Sequence, residues 1–208
     1  ELSIVQARKE INLFAERMRR MFGMLSTLLH ETNENDFNKL FSRIEKYENI
    51  SDNMELEIAN YLNKVSEGRL SSESKLEIRG MLREVTEIES IGDSCYNLAR
   101  TINRKRSGGN DFTEKQYEHI HQMMQLTNDA LDHMIAVVED DHRVVDVNKS
   151  FNIENEINNY RAQLKNQNVV DVNNKEYDYQ MGVHYMDLIG ESKKLGDYVV
   201  NVVEARTN

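Results

Sequence analysis

The sequence predicts an all-α chain built as two tandem three-helix bundles, and three observations carry that prediction. The 208 residues contain no proline, where average usage of about 5% would supply roughly ten. Proline removes a hydrogen bond and clashes with the preceding turn inside a helix, so its absence fits long uninterrupted helices. Apolar residues recur at spacings of three and four along most of the chain, which is the period of a buried helix face. Short motifs of the first half also return in the second at a nearly constant offset, the mark of a duplicated unit. With 9 Gly, no Trp, 39% hydrophobic and 30% charged residues, collagen-like, disulfide-stapled and low-complexity classes are excluded.

The first helix carries the seam Ile4, Ala7, Ile11, Phe14, Met18, Met21, Leu25 and Leu28. After a break at Asn33 to Asp36, the second carries Phe37, Leu40, Ile44, Tyr47, Ser51, Met54, Ile58, Tyr61 and Val65. A turn at Gly68 to Ser72 leads into the third, with Ile78, Met81, Val85, Ile88, Gly92, Cys95, Ala99 and Ile102. Ser71 or Ser72 suits its N-cap, and Arg104, Lys105 and Arg106 suit its C-terminal end. Beyond Gly108 and Gly109 the pattern restarts. Asp111 or Thr113 opens a fourth helix through Tyr117, Ile120, Met124, Thr127, Leu131, Met134 and Val138. A fifth holds Ile153, Ile157, Tyr160 and Leu164, and a sixth Met181, Tyr185, Leu188, Ser192, Leu195, Val199 and Val202. Helices of roughly 25 to 35 residues are far above the average of about 12, and joined by short loops they make antiparallel bundles.

Ile91-Gly92-Asp93 with Asn97 recurs as Leu195-Gly196-Asp197 with Asn201, an offset of 104. Glu48 and Asp52 recur as Glu154 and Asn158, an offset of 106. These offsets divide the chain into repeats at residues 1–109 and 110–208. No apolar run is long enough to span a bilayer, and no signal-peptide pattern is present. Cys95 is the sole cysteine, so an internal disulfide is excluded and a reducing compartment fits. A net charge of −10 argues against sequence-independent nucleic-acid binding.

Two seam positions are small between bulky neighbours, Ser51 and Gly92. Each is flanked by an acidic pair at i, i+4, Glu48/Asp52 and Glu89/Asp93, and such pairs share a helix face. In an antiparallel hairpin, residues at one height mirror each other about the turn. The pair midpoints, 50 and 91, reflect about 70.5, inside the predicted turn, so the four carboxylates belong at one level. Four crowded carboxylates need protons, basic partners or a cation. Oxygen ligands alone suit Mg²⁺, Ca²⁺ or Mn²⁺, and iron where carboxylates bridge two metals. The alternative is a solvated face paired with Lys and Arg.

Glu89-Ser-Ile-Gly-Asp93 with Asn97, Lys193-Lys-Leu-Gly-Asp197 with Asn201, and Glu48-Asn-Ile-Ser-Asp52 resemble the E/D-x-x-x-D signatures of PhoU-like proteins. The resemblance runs through all six helices in order. It implies two three-helix bundles that regulate phosphate uptake and signalling, without enzymatic activity, and multinuclear iron or zinc clusters held by the carboxylates. By position, Glu48, Asp52, Glu89 and Asp93 are the implied ligands of the first repeat, and iron or zinc then ranks above Mg²⁺, Ca²⁺ or Mn²⁺. In the second repeat Glu154 and Asp197 remain. Asn158 replaces an acid there, Lys193 stands in place of Glu89 and Ile157 in place of Ser51, so weak or lost metal binding is expected.

The sequence starts at Glu1, with the apolar seam running by Ile4, which reads as a helix entered from upstream. PhoU-like domains also form the C-terminal tails of bacterial sodium/phosphate cotransporters, and the chain is similar to such a tail. The resemblance thus implies a membrane phosphate transporter as partner in cis, at the cytoplasmic face of the membrane. Phosphate itself and a second copy of the chain are further candidate partners, and nucleic acid is not.

The rival class is a ferritin-like di-metal oxidase or metal-storage bundle, because Glu118-His-Ile-His121 and Glu139-Asp-Asp-His142 both have E-x-x-H spacing. They lie 21 residues apart at opposite ends of one helix, about 30 Å at about 1.5 Å per residue, whereas an oxidase needs them on two helices. Solvated or capping histidines fit better. Arg17, Arg19 and Arg20 read as a solvated surface paired with acids, with contact to anionic lipid as the sharper alternative. The ten Met read as core packing, and Cys95 as a buried small hydrophobe.

Overall fold

The computed structural model describes residues 2–140 and 143–208; Glu1, Asp141 and His142 lie outside the described residues, and with them the upstream-entry reading at Glu1 and the histidine of the second E-x-x-H motif. Six helices follow one another: α1 (Leu2–His30), α2 (Glu34–Ser66), α3 (Ser72–Ser107), α4 (Glu114–Val138), α5 (Asn148–Asn173) and α6 (Tyr179–Thr207). No strand occurs among the described residues, and none of their helices is long and apolar enough to cross a membrane.

The helix starts follow local chemistry. Asn33, Ser71 and Asp178 each accept a hydrogen bond from the backbone N–H three residues on, which satisfies a donor left over in the first turn. Thr113 and Gln116 form a reciprocal capping box at α4, so Thr113 rather than Asp111 is the cap. Arg104, Lys105 and Arg106 fill the last turn of α3, and Gly109 takes a left-handed φ of 78° beyond it, a conformation glycine adopts without steric cost. The first break is shorter than the sequence suggests, because α2 already begins at Glu34.

All eight seam residues of α1 and all eight of α3 are buried. On α2 the seam drifts at its end: Tyr61 is exposed and Leu62 takes the core position. A 3.6-residue helix runs ahead of a 3.5-residue repeat over such a length.

The helices α1, α2 and α3 pack on one another, as do α4, α5 and α6. The two groups join along α3 and α6, the most extensive contact, and along α1 and α4. Among the described residues α2 touches only α1 and α3, and α5 only α4 and α6. The architecture is therefore four central helices with α2 and α5 on the flanks. A reciprocal pair of bonds crosses the centre: Asn97 Nδ2 donates to Glu191 Oε1 at 3.2 Å, and Asn201 Nδ2 donates to Glu87 Oε2 at 3.1 Å. Asn97 and Asn201 are related by the offset of 104, as are Glu87 and Glu191, so the same bond is made twice with the halves exchanged.

Arg206 ties the far ends together. Its Nε lies 2.6 Å from Glu84 Oε1 on α3, and its terminal nitrogens donate to the Val138 carbonyl on α4 and to Asn12 Oδ1 on α1. Glu84 is 1% exposed, a buried carboxylate held by one guanidinium.

Candidate metal centre

The long straight seams of α2 and α3 bring Glu48, Asp52, Glu89 and Asp93 together. One carboxylate oxygen from each lies within 4.8 Å of all the others, with Asp52 exposed and the other three half-buried. The room comes from Gly92. A methyl group there would lie 2.8 Å from both Met18 Sδ and Ser51 Oγ, so a larger residue would force these side chains to shift. Ser51 is fully buried.

The cluster is electrostatically unbalanced. Two unit charges at that separation repel by roughly 3–4 kcal/mol at an effective dielectric of about 20. Burial, reinforced by the neighbouring Asp93, Asp52 and Glu89 carboxyls, pushes the Glu48 carboxyl up to about 8. Burial likewise raises Glu89 to about 8, with Asp93, Glu55 and Asp52 adding to it. Two polar atoms are buried without a hydrogen-bond partner, Glu48 Oε2 and Ser51 Oγ. Converging carboxylate oxygens with no protein donor to balance them are what a cation-binding set of oxygen ligands presents. The donor set fits a metal.

Glu55 is a fifth carboxylate that the motif spacing passes over. Burial raises it, with Asp52 and Asp93 adding, and it hydrogen-bonds with Glu89. The signal was available: Glu55 follows Glu48 by two helical turns and so shares its face.

The second half builds the corresponding place differently. Glu154 is raised by burial and by the adjacent Asp197, so these two acids do meet. Lys193 Nζ pairs with Asp197 Oδ2 at 2.5 Å. Ile157 is fully buried, and a methyl group on Gly196 would lie 3.2 Å from its Cδ1, so Ile157 occupies the space that Ser51 leaves open. Lysine supplies the countercharge that the first half lacks.

The histidines form no metal constellation among the described residues. Instead, His121 Nε2 meets His30 Nε2 at 2.6 Å across α1 and α4, a pairing that helix spacing does not reveal. His119 pairs with the Tyr185 hydroxyl at 2.8 Å, and Glu139 is the C-cap of α4. Arg19 bonds Asp132 at 3.1 Å and Glu16 at 3.2 Å. Cys95 is buried, and burial raises its thiol far above the range where a thiolate forms, which leaves it inert.

Residues 11–102 match the family model of the PhoU domain. No curated protein matches the sequence. Among solved structures, the phosphate transport system regulatory protein PhoU from Streptococcus pneumoniae is similar at TM-score 0.78 and 14% identity, over 99% of this chain and 93% of that one. PhoU from Pseudomonas aeruginosa is similar at TM-score 0.75 and 13% identity, over 99% and 95%. A PhoU-like protein from Shewanella oneidensis MR-1 is similar at TM-score 0.75 and 17% identity, over 96% of each. Residues 11–102 carry the PhoU domain, and the fold of the solved PhoU proteins extends through both halves of the chain.

Proposed function

We propose that this chain regulates phosphate transport without catalysing a reaction, as a sensor whose helix packing responds to what its carboxylate cluster holds. The PhoU domain over residues 11–102 and the likeness to a phosphate transport system regulatory protein support the first part. The orphaned Glu48 Oε2 inside a set of four converging carboxylates supports the second. Glu48, Asp52, Glu89 and Asp93 are the ligands in this reading, with Glu55 beside them, and iron or zinc is the metal. A bound metal supplies the positive charge that holds α2 and α3 together at this level. Without it, protons on Glu48 and Glu89 must do so. Glu154 and Asp197 contribute a weak site or none, because Lys193 already balances them.

In the same reading, residues 1–109 and 110–208 are the two repeats, and the partner is a membrane phosphate transporter reached at the cytoplasmic face. The oxidase alternative gains nothing from the geometry, since His121 is paired with His30 rather than with a second carboxylate motif.

Metal analysis of the full chain as isolated tests the assignment. Stoichiometric iron or zinc that is lost in the double variant Glu89→Gln, Asp93→Asn, with helicity retained, is the expected result. Stoichiometric metal that survives the double substitution would overturn it.

A further inference from the structure

On the α5 flank a cavity of about 500 Å³ opens between the C-terminal half of α3, Arg161 of α5 and residues 186–194 of α6. Five cations line it: Arg100, Arg104, Arg161, Lys193 and Lys194. Two carboxylates, Asp187 and Glu191, line it with them. In a chain with a net charge of −10, this is a local reversal of sign.

The cations are not consumed by ion pairs. Lys193 binds Asp197, but among the described residues Arg100, Arg104, Arg161 and Lys194 make none. Arg100 and Arg104 donate only to neutral neighbours, Asn97 and Thr101. Glu191 is occupied in turn by Ser94 and Asn97. Arg161 Nε is buried and donates to nothing, and Asn158 Oδ1, one turn earlier on α5, is buried without a partner as well. The Arg161 side chain as a whole is half-buried at the cavity wall and makes no ion pair among the described residues, so an anion in the cavity would meet its terminal nitrogens rather than Nε.

The duplication sharpens the point. Arg161, Lys193 and Arg100 stand where the other half has Glu55, Glu89 and Glu204. Two of these bases, Arg161 and Lys193, answer acids of the first half, and Arg100 answers an acid of the second.

We propose that this cavity is a receptor for a small anion carrying two or more phosphate groups, with Arg161 as its central donor. A guanidinium offers a planar fork of N–H groups that matches phosphate oxygens in pairs. Arg100 and Arg104, one turn apart on α3, present two such forks on one helix face. A monocarboxylate would neutralise too little of this charge. The volume lies within the range of small-molecule sites, roughly 300–1,000 Å³. The inference does not depend on metal at the carboxylate cluster, which lies on the other flank.

Calorimetric titration of the metal-stripped full chain in chelator, at near-physiological salt, tests it with orthophosphate, pyrophosphate, tripolyphosphate and sulfate. Saturable binding of one pyrophosphate or tripolyphosphate per chain is expected, at least tenfold tighter than sulfate. Arg161→Gln should weaken it at least tenfold, with Arg104→Gln as a second variant should the first unfold. Glu89→Gln should leave it unchanged, which separates failure here from failure of the metal reading. Three outcomes overturn the proposal: no saturable binding of any phosphate, binding indifferent to both arginine substitutions, or arginine-dependent binding only to vesicles containing phosphatidylglycerol.

Discussion

At the scale of single residues, burial raises Glu84, Glu48 and Glu89 alike, but their surroundings balance them differently. Glu84 has one strong partner, Arg206. Burial pushes its carboxyl up and the guanidinium only partly offsets that. Arg206→Met would strand a buried carboxyl and release the Val138 carbonyl and Asn12, so we expect a loss of about 3–5 kcal/mol, read by urea unfolding. Replacing Glu84 by Gln in the same background should restore part of it, since the uncompensated charge is then gone. Glu48 and Glu89 have only other acids. Their folded values, about 8, lie above the unfolded range near 4.5. Groups raised on folding stabilise the fold below the unfolded value and lose that contribution as pH climbs through the folded one. The unfolding temperature of metal-free protein should therefore fall between about pH 4.5 and 8. In the Glu48→Gln, Glu89→Gln double variant this slope should flatten.

At the scale of the helix, the carboxylate level depends on how closely α2 and α3 approach. Gly92 sets that distance, because any larger side chain meets Met18 and Ser51. Gly92→Leu should overpack the seam at a cost of about 1–3 kcal/mol and lower metal binding, measured by thermal unfolding and metal titration. Much of this scale is legible in the sequence. The seams of α1 and α3 need only a period, and the acidic level needs only reflection about the turn. What is not legible involves contacts between distant helices. Asn97 and Asn201 stand out as repeated letters, but their partners Glu191 and Glu87 lie in the opposite half. Arg206 looks like an ordinary basic residue in a last turn, and His30 with His121 like two surface imidazoles. Glu55 escaped for a different reason, since its face is readable but its motif is not.

At the scale of the whole molecule, the reciprocal Asn–Glu bonds make the joint between halves nearly self-complementary. The α3 of a second copy could take the place of α6, with Asn97 of each copy donating to Glu87 of the other. Residues 1–109 alone should therefore form a two-fold dimer, seen by sedimentation as a species of twice the mass. Glu87→Arg should shift the fragment toward monomer. A monomeric wild-type fragment at high concentration would show that the shared offset carries no interface.

The same joint imposes an order of events on a growing chain. The face that α3 presents to α6 is the largest contact between the halves, yet its partner is synthesised after the other five helices described. Until residues 179–207 emerge from the ribosome, the first bundle carries an uncovered apolar wall. Neighbouring nascent chains are then competitors for that wall, and fast closure of the late helix becomes a condition for producing monomers at all.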